Sequence, residues 1–190
     1  MMKSVLGIAV AIAFCSAANA ADQGQGKVNF KGTVIDAPCG IAPESADQSI
    51  DFGQISKAHL EANGISVKKD LDIKLVNCVL DAKKPTVKVA FSGTNVNGHT
   101  NELGTAGDTG TAIVISSEDG SLVTFDGKTP AGATTYKAGD NTLHYSAWVK
   151  KSSADNAAIK EGEFTAVTNF NLGLAPIFPY TFYHLTHYWF

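Results

Sequence analysis

Apolar and polar residues alternate along much of the chain after its first 20 residues. A period of two residues is typical of strands that turn one face to a core and the other to solvent. A short extended piece is expected over residues 49–53. Bounded by turn residues, the alternation predicts strands over residues 28–35, 71–78, 87–91, 112–115, 122–125, 143–149 and 164–172.

The segments between these strands carry turn and loop signals rather than long helical periods. Residues 56–62 predict a single helical turn that an Asn-Gly pair ends, and Asp119-Gly120 predicts a hairpin turn. Residues 92–110 are rich in Gly, Asn and Thr, which predicts a long surface loop. Six or seven strands without a long helix favour an all-β fold, an antiparallel β-sandwich in one domain.

The N-terminus has the pattern of a secretory signal peptide. Lys3 precedes an apolar run over residues 5–14, and a small-x-small motif ends at Ala20. The run is shorter than the ~20 residues that a membrane-spanning helix needs. We therefore expect cleavage between Ala20 and Ala21 and no membrane span, with a buried N-terminal helix as the alternative.

Two cysteines, Cys39 and Cys78, remain once the signal peptide is removed. An exported chain with two cysteines most simply forms one disulfide, because the compartments outside the cytosol are oxidising. Two free thiols are the alternative.

Composition and charge narrow the chemistry. The formal net charge is −3, and all 15 basic residues are lysine. Nucleic-acid recognition usually relies on arginine, so we expect no nucleic-acid partner. His184 and His187 form the one close histidine pair but lack a third metal ligand, and no nucleophile motif is present. We therefore expect no metal, no cofactor and no enzymatic activity.

Several longer segments together carry a resemblance to a known family. The segments are residues 24–39, 45–54, 70–78, 96–99 and 161–172, the last with an F-x-A-x-x-x-F-x-L ending. Across residues 24–172 the chain resembles the chaperone–usher pilins, and most nearly the rod subunits of P (pyelonephritis-associated) pili.

The resemblance implies an incomplete immunoglobulin-like sandwich that lacks its last strand. An apolar groove would lie between the first and last strands, and a strand from another molecule would fill it. The groove and the chaperone-contacting strand are expected to include Gly162, Phe164, Ala166, Thr168, Phe170 and Leu172.

The resemblance also implies a donor strand and a set of partners. The partners would be a periplasmic pilus chaperone, an outer-membrane usher and neighbouring copies of the subunit. The chain would cross the periplasm and end in a fimbrium on the bacterial surface. The donor extension is expected to be Ala21, Asp22, Gln23, Gly24, Gln25, Gly26 and Lys27.

The C-terminus departs from the family pattern. Pilins of this type end soon after the position of Leu172, with a penultimate tyrosine where this chain has Leu174. Residues 173–190 instead hold 7 of the 17 aromatic residues. This tail favours a frameshifted or read-through end, with a packed variant tail as the alternative.

The sequence therefore predicts a signal peptide at 1–20, a donor extension at 21–27, a pilin domain at 28–172 and an atypical tail at 173–190. The expected function is that of a structural pilin, polymerised into the shaft of an adhesive fimbria. A minor or adaptor pilin is the nearest alternative, and a glycan-binding tip adhesin is a more distant one.

Overall fold

The computed structural model describes residues 26–35, 37–82 and 86–175. The chain divides into two compact units, Met1–Val34 and Ile35–Phe190. In the second unit the helices are α1 (Pro43–Ala46) and α2 (Lys57–Glu61). The strands are β1 (Gly40–Ile41), β2 (Lys69–Cys78), β3 (Thr86–Gly93), β4 (Asn95–Val96), β5 (His99–Gly104), β6 (Thr111–Ser117), β7 (Asp126–Thr135), β8 (Gly139–Lys151) and β9 (Thr168–Ala175).

The strands of the second unit form two sheets. One has six strands in the order β1-β2-β8-β6-β5-β4, and the other has three in the order β7-β3-β9. Every pairing between these strands is antiparallel. Phe91 of β3 and Tyr145 of β8 meet edge to face across the sheets, with ring centroids 5.1 Å apart. The all-β antiparallel sandwich is therefore confirmed.

The alternation in β2 is the clearest example of how sequence forms the core. Leu71, Ile73 and Leu75 are buried, and Leu71 lies opposite Tyr145 of β8 in the ladder. On the outer face, Asp72 and His144 lie opposite each other, and His144 Nδ1 and Asp72 Oδ1 are within hydrogen-bonding distance at 2.8 Å. The inward face of β2 is therefore the apolar one, as the period of two predicts.

Several other predicted elements are also confirmed. Strands β3, β6 and β8 cover the predicted alternations, and α2 covers the predicted helical turn. At α2, Ser56 Oγ accepts a hydrogen bond from His59 N–H, and Leu60 is buried. The Cys39–Cys78 disulfide is formed, and Val79 N–H donates to the Pro38 carbonyl beside it.

The prediction that residues 28–35 form a strand is wrong. Residues 26–35 form no strand, and Val28, Phe30 and Val34 are exposed, Val34 fully so. Alternation gives a segment an apolar face, but a strand also needs a neighbouring backbone to pair with. Within the described residues, none pairs with this segment.

The predicted loop over residues 92–110 is also wrong in part, because β4 and β5 lie within it. Leu103 pairs with Ile113 of β6, so ladder hydrogen bonds support a sequence of low strand propensity. Strand β7 was not predicted, since it contains two glycines and Pro130. It is an edge strand with register shifts, where proline is tolerated.

Two shorter predicted strands are extended segments without a ladder. Residues 122–125 form one β-bridge, Ser116–Leu122, and Val123 N–H donates to the Ile115 carbonyl; Val123 and Phe125 are buried. Residues 49–53 form no strand, although Ile50 and Phe52 pack against the core. The apolar residues were identified correctly in both cases, but backbone pairing depends on neighbours far away in sequence. Among the described residues, no helix is long and apolar enough to cross a membrane.

Candidate functional site

An open groove of about 650 Å³ runs along one side of the sandwich. One wall comes from residues 164–170, which lead into and include the start of β9. The other comes from the segment that follows β1, residues 45–52. Its floor contains Leu71, Phe91, Leu103, Ile113, Ile115 and Ala147, contributed by both sheets.

The floor of the groove is a part of the hydrophobic core that lacks full cover. Phe91, Leu103 and Ile115 are buried, but Ile113 beside them is only half-buried. The Phe170 ring lies 6.2 Å from that of Phe91, and it too is half-buried. A groove with an apolar floor and few charges suits an apolar side-chain row.

The β9 wall presents alternate residues to the groove. In β9, Phe170 lies opposite Phe91 of β3, and Thr168 lies opposite Gly93. Strand β9 is the edge of its three-stranded sheet, so in the described chain its ladder is with β3 alone. Its free edge offers backbone N–H and C=O groups to a further strand. The half-buried residues along this wall and β9 are Phe164, Ala166, Thr168, Phe170, Leu172 and Leu174.

The opposite wall is held by side chains rather than by a ladder. Lys74 N–H donates to Ser45 Oγ at 2.9 Å, and Gln48 Nε2 donates to the Asp72 carbonyl at 2.9 Å. These bonds attach residues 45–48 to β2, more than 20 residues away in sequence. Ile50 and Phe52 then pack against the core. The alternation at residues 49–53 predicts an extended piece, but it does not predict that residues 45–52 form a wall of the groove.

Of the predicted groove residues, Phe164, Ala166, Thr168 and Phe170 line the groove, whereas Gly162 and Leu172 lie outside its lining. The strand begins at Thr168 instead of Phe164, and Gly162 lies in an exposed bend before it. The strand also continues through Leu174, opposite Val87, to Ala175, beyond the predicted end at Leu172. Residues 176–190 of the predicted tail, the cleavage site and residues 21–25 of the predicted donor lie outside the described residues.

Among the described residues, Glu102 is a buried charge that neighbours the groove residue Leu103 on β5. Its carboxylate accepts hydrogen bonds from Lys150 Nζ, Ser153 Oγ and Ser153 N–H. Burial alone would raise the pKa of Glu102, but these hydrogen bonds and the Lys150 charge outweigh it and lower the pKa. Glu102 therefore stays ionised and fixes the loop after β8 to β5.

A second buried polar group connects the sheets. Tyr145 Oη donates to the Ala131 carbonyl at 3.0 Å. Burial, with the charge of Asp119, raises the pKa of Tyr145 to about 12. Tyr145 is therefore a neutral hydrogen-bond donor over the physiological range.

Among the described residues, no group of three or more His, Cys, Asp and Glu side chains could hold a metal. The geometry suits the binding of an extended chain.

The segment over residues 26–34, described by itself, has an apolar row of its own. Val28 is 73% exposed and Phe30 is 91% exposed, with the polar Asn29 and Lys31 as their neighbours. Gly32 follows in the same alternation and then Val34. Such a row is unusual on a soluble surface, because exposed apolar stripes favour association.

The sequence and fold are similar to those of known fimbrial proteins. The family described as "Fimbrial protein" matches residues 28–173. The chain is 57% identical over 184 residues to the Pap fimbrial major pilin protein of Escherichia coli, covering 90% of this chain and 98% of that protein. It is 40% identical over 171 residues to the Fimbria A protein of Serratia marcescens, covering 90% and 96%.

Solved structures agree with these relatives. The crystal structure of the P pilus rod subunit PapA matches with a TM-score of 0.69 and 56% identity, covering 73% of this chain and 100% of that one. A chain from a chaperone–usher pilus structure matches with a TM-score of 0.76 and 58% identity, covering 80% and 97%. This chain therefore belongs to the fimbrial protein family, and it is a structural pilin that is exported through the periplasm into a fimbria on the bacterial cell surface.

Proposed function

We propose that this pilin polymerises by donor-strand exchange into the shaft of an adhesive surface fimbria. The observation that carries the proposal is the open groove, where half-buried apolar side chains lie beside the free edge of β9. The sandwich is then incomplete, and the position of the absent last strand is the groove between β9 and the segment after β1. The role is structural and requires no catalytic group.

An added strand would satisfy both requirements of the groove. Its backbone would pair with the free edge of β9, and its alternate side chains would cover the half-buried Ile113, Phe164 and Phe170. Burying apolar surface contributes about 25 cal/mol per Å², so a row of three or four side chains supplies several kcal/mol. Without an added strand, this apolar surface and the edge of β9 stay exposed. A subunit without a partner is therefore prone to aggregate.

The donor strand comes from the N-terminal segment of a neighbouring copy. The resemblance implies residues 21–27, and the exposed row of Val28, Phe30 and Val34 extends the donor to residue 34. A donor that includes this row has the alternation that the groove requires. Gly32 lies within the row and has no side chain, so the backbone can approach the groove closely at that point.

The partners follow from this mechanism. A periplasmic pilus chaperone fills the groove until assembly, and an outer-membrane usher is the site where the donor of the next subunit replaces the chaperone. Each subunit gives its donor to one neighbour and receives one from another. Such a head-to-tail contact does not close on itself and therefore grows a fibre. The similarity to major pilins favours the shaft over an adaptor position.

The donor row can be tested by two substitutions that add the same charge. Phe30→Asp places a carboxylate on the apolar row, whereas Asn29→Asp places one on the adjacent opposite face. Because both side chains are exposed, the subunit should fold and bind its chaperone in either variant. We expect surface fibre to be lost with Phe30→Asp and retained with Asn29→Asp, as measured by negative-stain microscopy of expressing cells.

Equal amounts of fibre from the two variants would refute the donor role of residues 28–34. Deletion of residues 21–27 tests the upstream part of the donor separately. It should leave a folded, chaperone-bound subunit that cannot be passed on to a neighbour. Normal fibres from the deletion would limit the donor to the exposed row.

A further inference from the structure

The upstream part of the β9 wall, residues 163–167, lies outside the ladder that holds β9. The ladder between β9 and β3 begins with the pair Thr168 and Gly93. Upstream of it, Phe164 and Ala166 still line the groove. Something other than β3 must therefore position this part of the wall.

The wall is bridged to the connection between β5 and β6. In this connection, residues 105–110, which we name the bracing loop, Ala106 forms an antiparallel bridge with Thr165. Ala106 N–H donates to the Thr165 carbonyl at 2.8 Å, and Thr165 N–H donates to the Ala106 carbonyl at 3.3 Å. The bridge joins the wall leading to the three-stranded sheet to a loop of the six-stranded sheet.

The bracing loop is itself firmly fixed. Thr109 is buried, and its hydroxyl hydrogen-bonds that of Thr111 at 2.8 Å. Thr105 Oγ1 donates to the Thr111 carbonyl at 2.9 Å, and Ser152 N–H donates to the Gly110 carbonyl at 2.9 Å. These hydrogen bonds hold the loop in place relative to β6 and β8. Through the Ala106–Thr165 bridge, the loop in turn holds the wall.

Gly107 is the point where the two backbones touch. Its φ is +104°, and a Cβ there would overlap the Glu163 carbonyl oxygen and lie 3.3 Å from the Phe164 Cα. These atoms belong to the backbone, so no side-chain rotation relieves the overlap. Any larger residue must displace either the loop or the wall, and the loop is the more strongly anchored of the two.

We propose that Gly107 and the Ala106–Thr165 bridge position this part of the β9 wall and so set how tightly the groove accepts a donor strand. This inference rests on the proposed donor-strand mechanism. Gly107 contacts no donor atom in it and acts through the wall, as a positioning residue. The groove is then shaped by a loop that contributes no side chain to its lining.

The test compares Gly107→Ala with Gly98→Ala in the full chain, purified with its chaperone. Gly98 also has positive φ, +78°, but a Cβ there would meet nothing within 4 Å. Both variants therefore carry the backbone strain of an L-residue at positive φ, and only one displaces the wall. The probe is a synthetic peptide of residues 24–36, whose affinity is measured by its displacement of the chaperone.

We expect Gly107→Ala to weaken peptide binding by about tenfold or more relative to Gly98→Ala, as overpacking at a rigid contact does. Hydrogen exchange at the Thr165 amide should accelerate in Gly107→Ala alone. Equal peptide affinity in the two variants would overturn the inference. If Gly107 had a purely structural role, Gly107→Ala would lower the free energy of unfolding without this difference in peptide affinity.

Two further outcomes keep the inference separate from the proposed function. If the wild-type chain takes up no peptide, the donor-strand mechanism fails, whereas the Thr165 exchange rate still decides whether Gly107 braces the wall. If Gly107→Ala does not fold, hydrogen exchange in the wild-type chain still tests the bracing role. Its Ala106 and Thr165 amides should be protected together, and exchange of Thr165 as fast as an unpaired loop amide would refute the bracing role.

Discussion

At the end of the sandwich that holds the Cys39–Cys78 disulfide, the core side chains are covered on all sides. Leu75, Tyr136 and Leu143 are each at most 3% exposed there. At the groove end, Phe170 and Ile113 of the same core are only half-buried. The closed end therefore holds the single chain together, while the groove end keeps apolar surface available for a partner.

The difference has a physical origin in which elements cover each end. At the closed end, β2, β3 and β8 meet beneath a disulfide that joins β2 to the residue before β1. At the groove end, β9 has a neighbour on one side, and the facing wall is attached by the Ser45 and Gln48 hydrogen bonds. Stability and binding capacity are thus separated along the same strands.

The largest expected effect comes from removal of the disulfide at the closed end. The double substitution Cys39→Ala and Cys78→Ala opens a loop with a sequence separation of 39 residues. In the chain-entropy model, the free energy of unfolding falls by about 4 kcal/mol. Urea unfolding of the two proteins measures it, and a loss below about 1 kcal/mol would show that the closed end does not depend on this link.

A core truncation sharpens the comparison between the two ends. Leu75→Ala should reduce the free energy of unfolding by about 2–5 kcal/mol, because Leu75 is fully buried. Phe170→Ala should cost the isolated subunit less, because the Phe170 side chain is already half-exposed, but it should weaken donor-peptide binding. Equal unfolding losses and unchanged peptide binding would contradict the separation of the two ends. Both are measured on chaperone-released subunit.

Glu102 provides a pH-dependent contribution near the groove end. Its pKa is lower when folded than the ordinary value of 4.5, so its stabilising effect is present above about pH 4.5 and is lost as pH falls through the folded pKa. Glu102→Gln should lower the free energy of unfolding at neutral pH by about 1–3 kcal/mol. The gap between variant and wild type should narrow on acidification. A gap independent of pH would contradict the ionised state of Glu102.

The smallest effect is expected at the exposed ion pair between Asp108 and Lys160, beside Gly107. Asp108→Asn removes the charge but tolerates the positive φ of 54° at this position. Unfolding free energy should change by less than about 0.5 kcal/mol, since exposed pairs contribute little. A larger loss, or weakened peptide binding, would assign the bracing of the wall to this pair instead of to Gly107.

The sequence by itself predicted the parts of the molecule that short-range pattern controls. Alternation located β2, β3, β6 and β8, and the polar and Gly signals located α2 and the turn at Asp119. Alternation also predicted the apolar row that includes Phe164 and Phe170, but only the resemblance to pilins implied that this row lines a groove. In the strands, every second residue is apolar over several positions in a row. The local sequence is therefore enough to predict the element.

The tertiary structure alone decided which segments pair and which stay open. Residues 28–34 alternate as β2 does, yet they form no strand within the described chain, while the glycine-rich β7 does. The wall at residues 45–48 depends on bonds to β2, and the wall at Thr165 depends on Ala106, 59 residues earlier. Alternation fixes only which face of a segment is apolar. Pairing is decided by backbone groups that folding brings together from distant parts of the sequence.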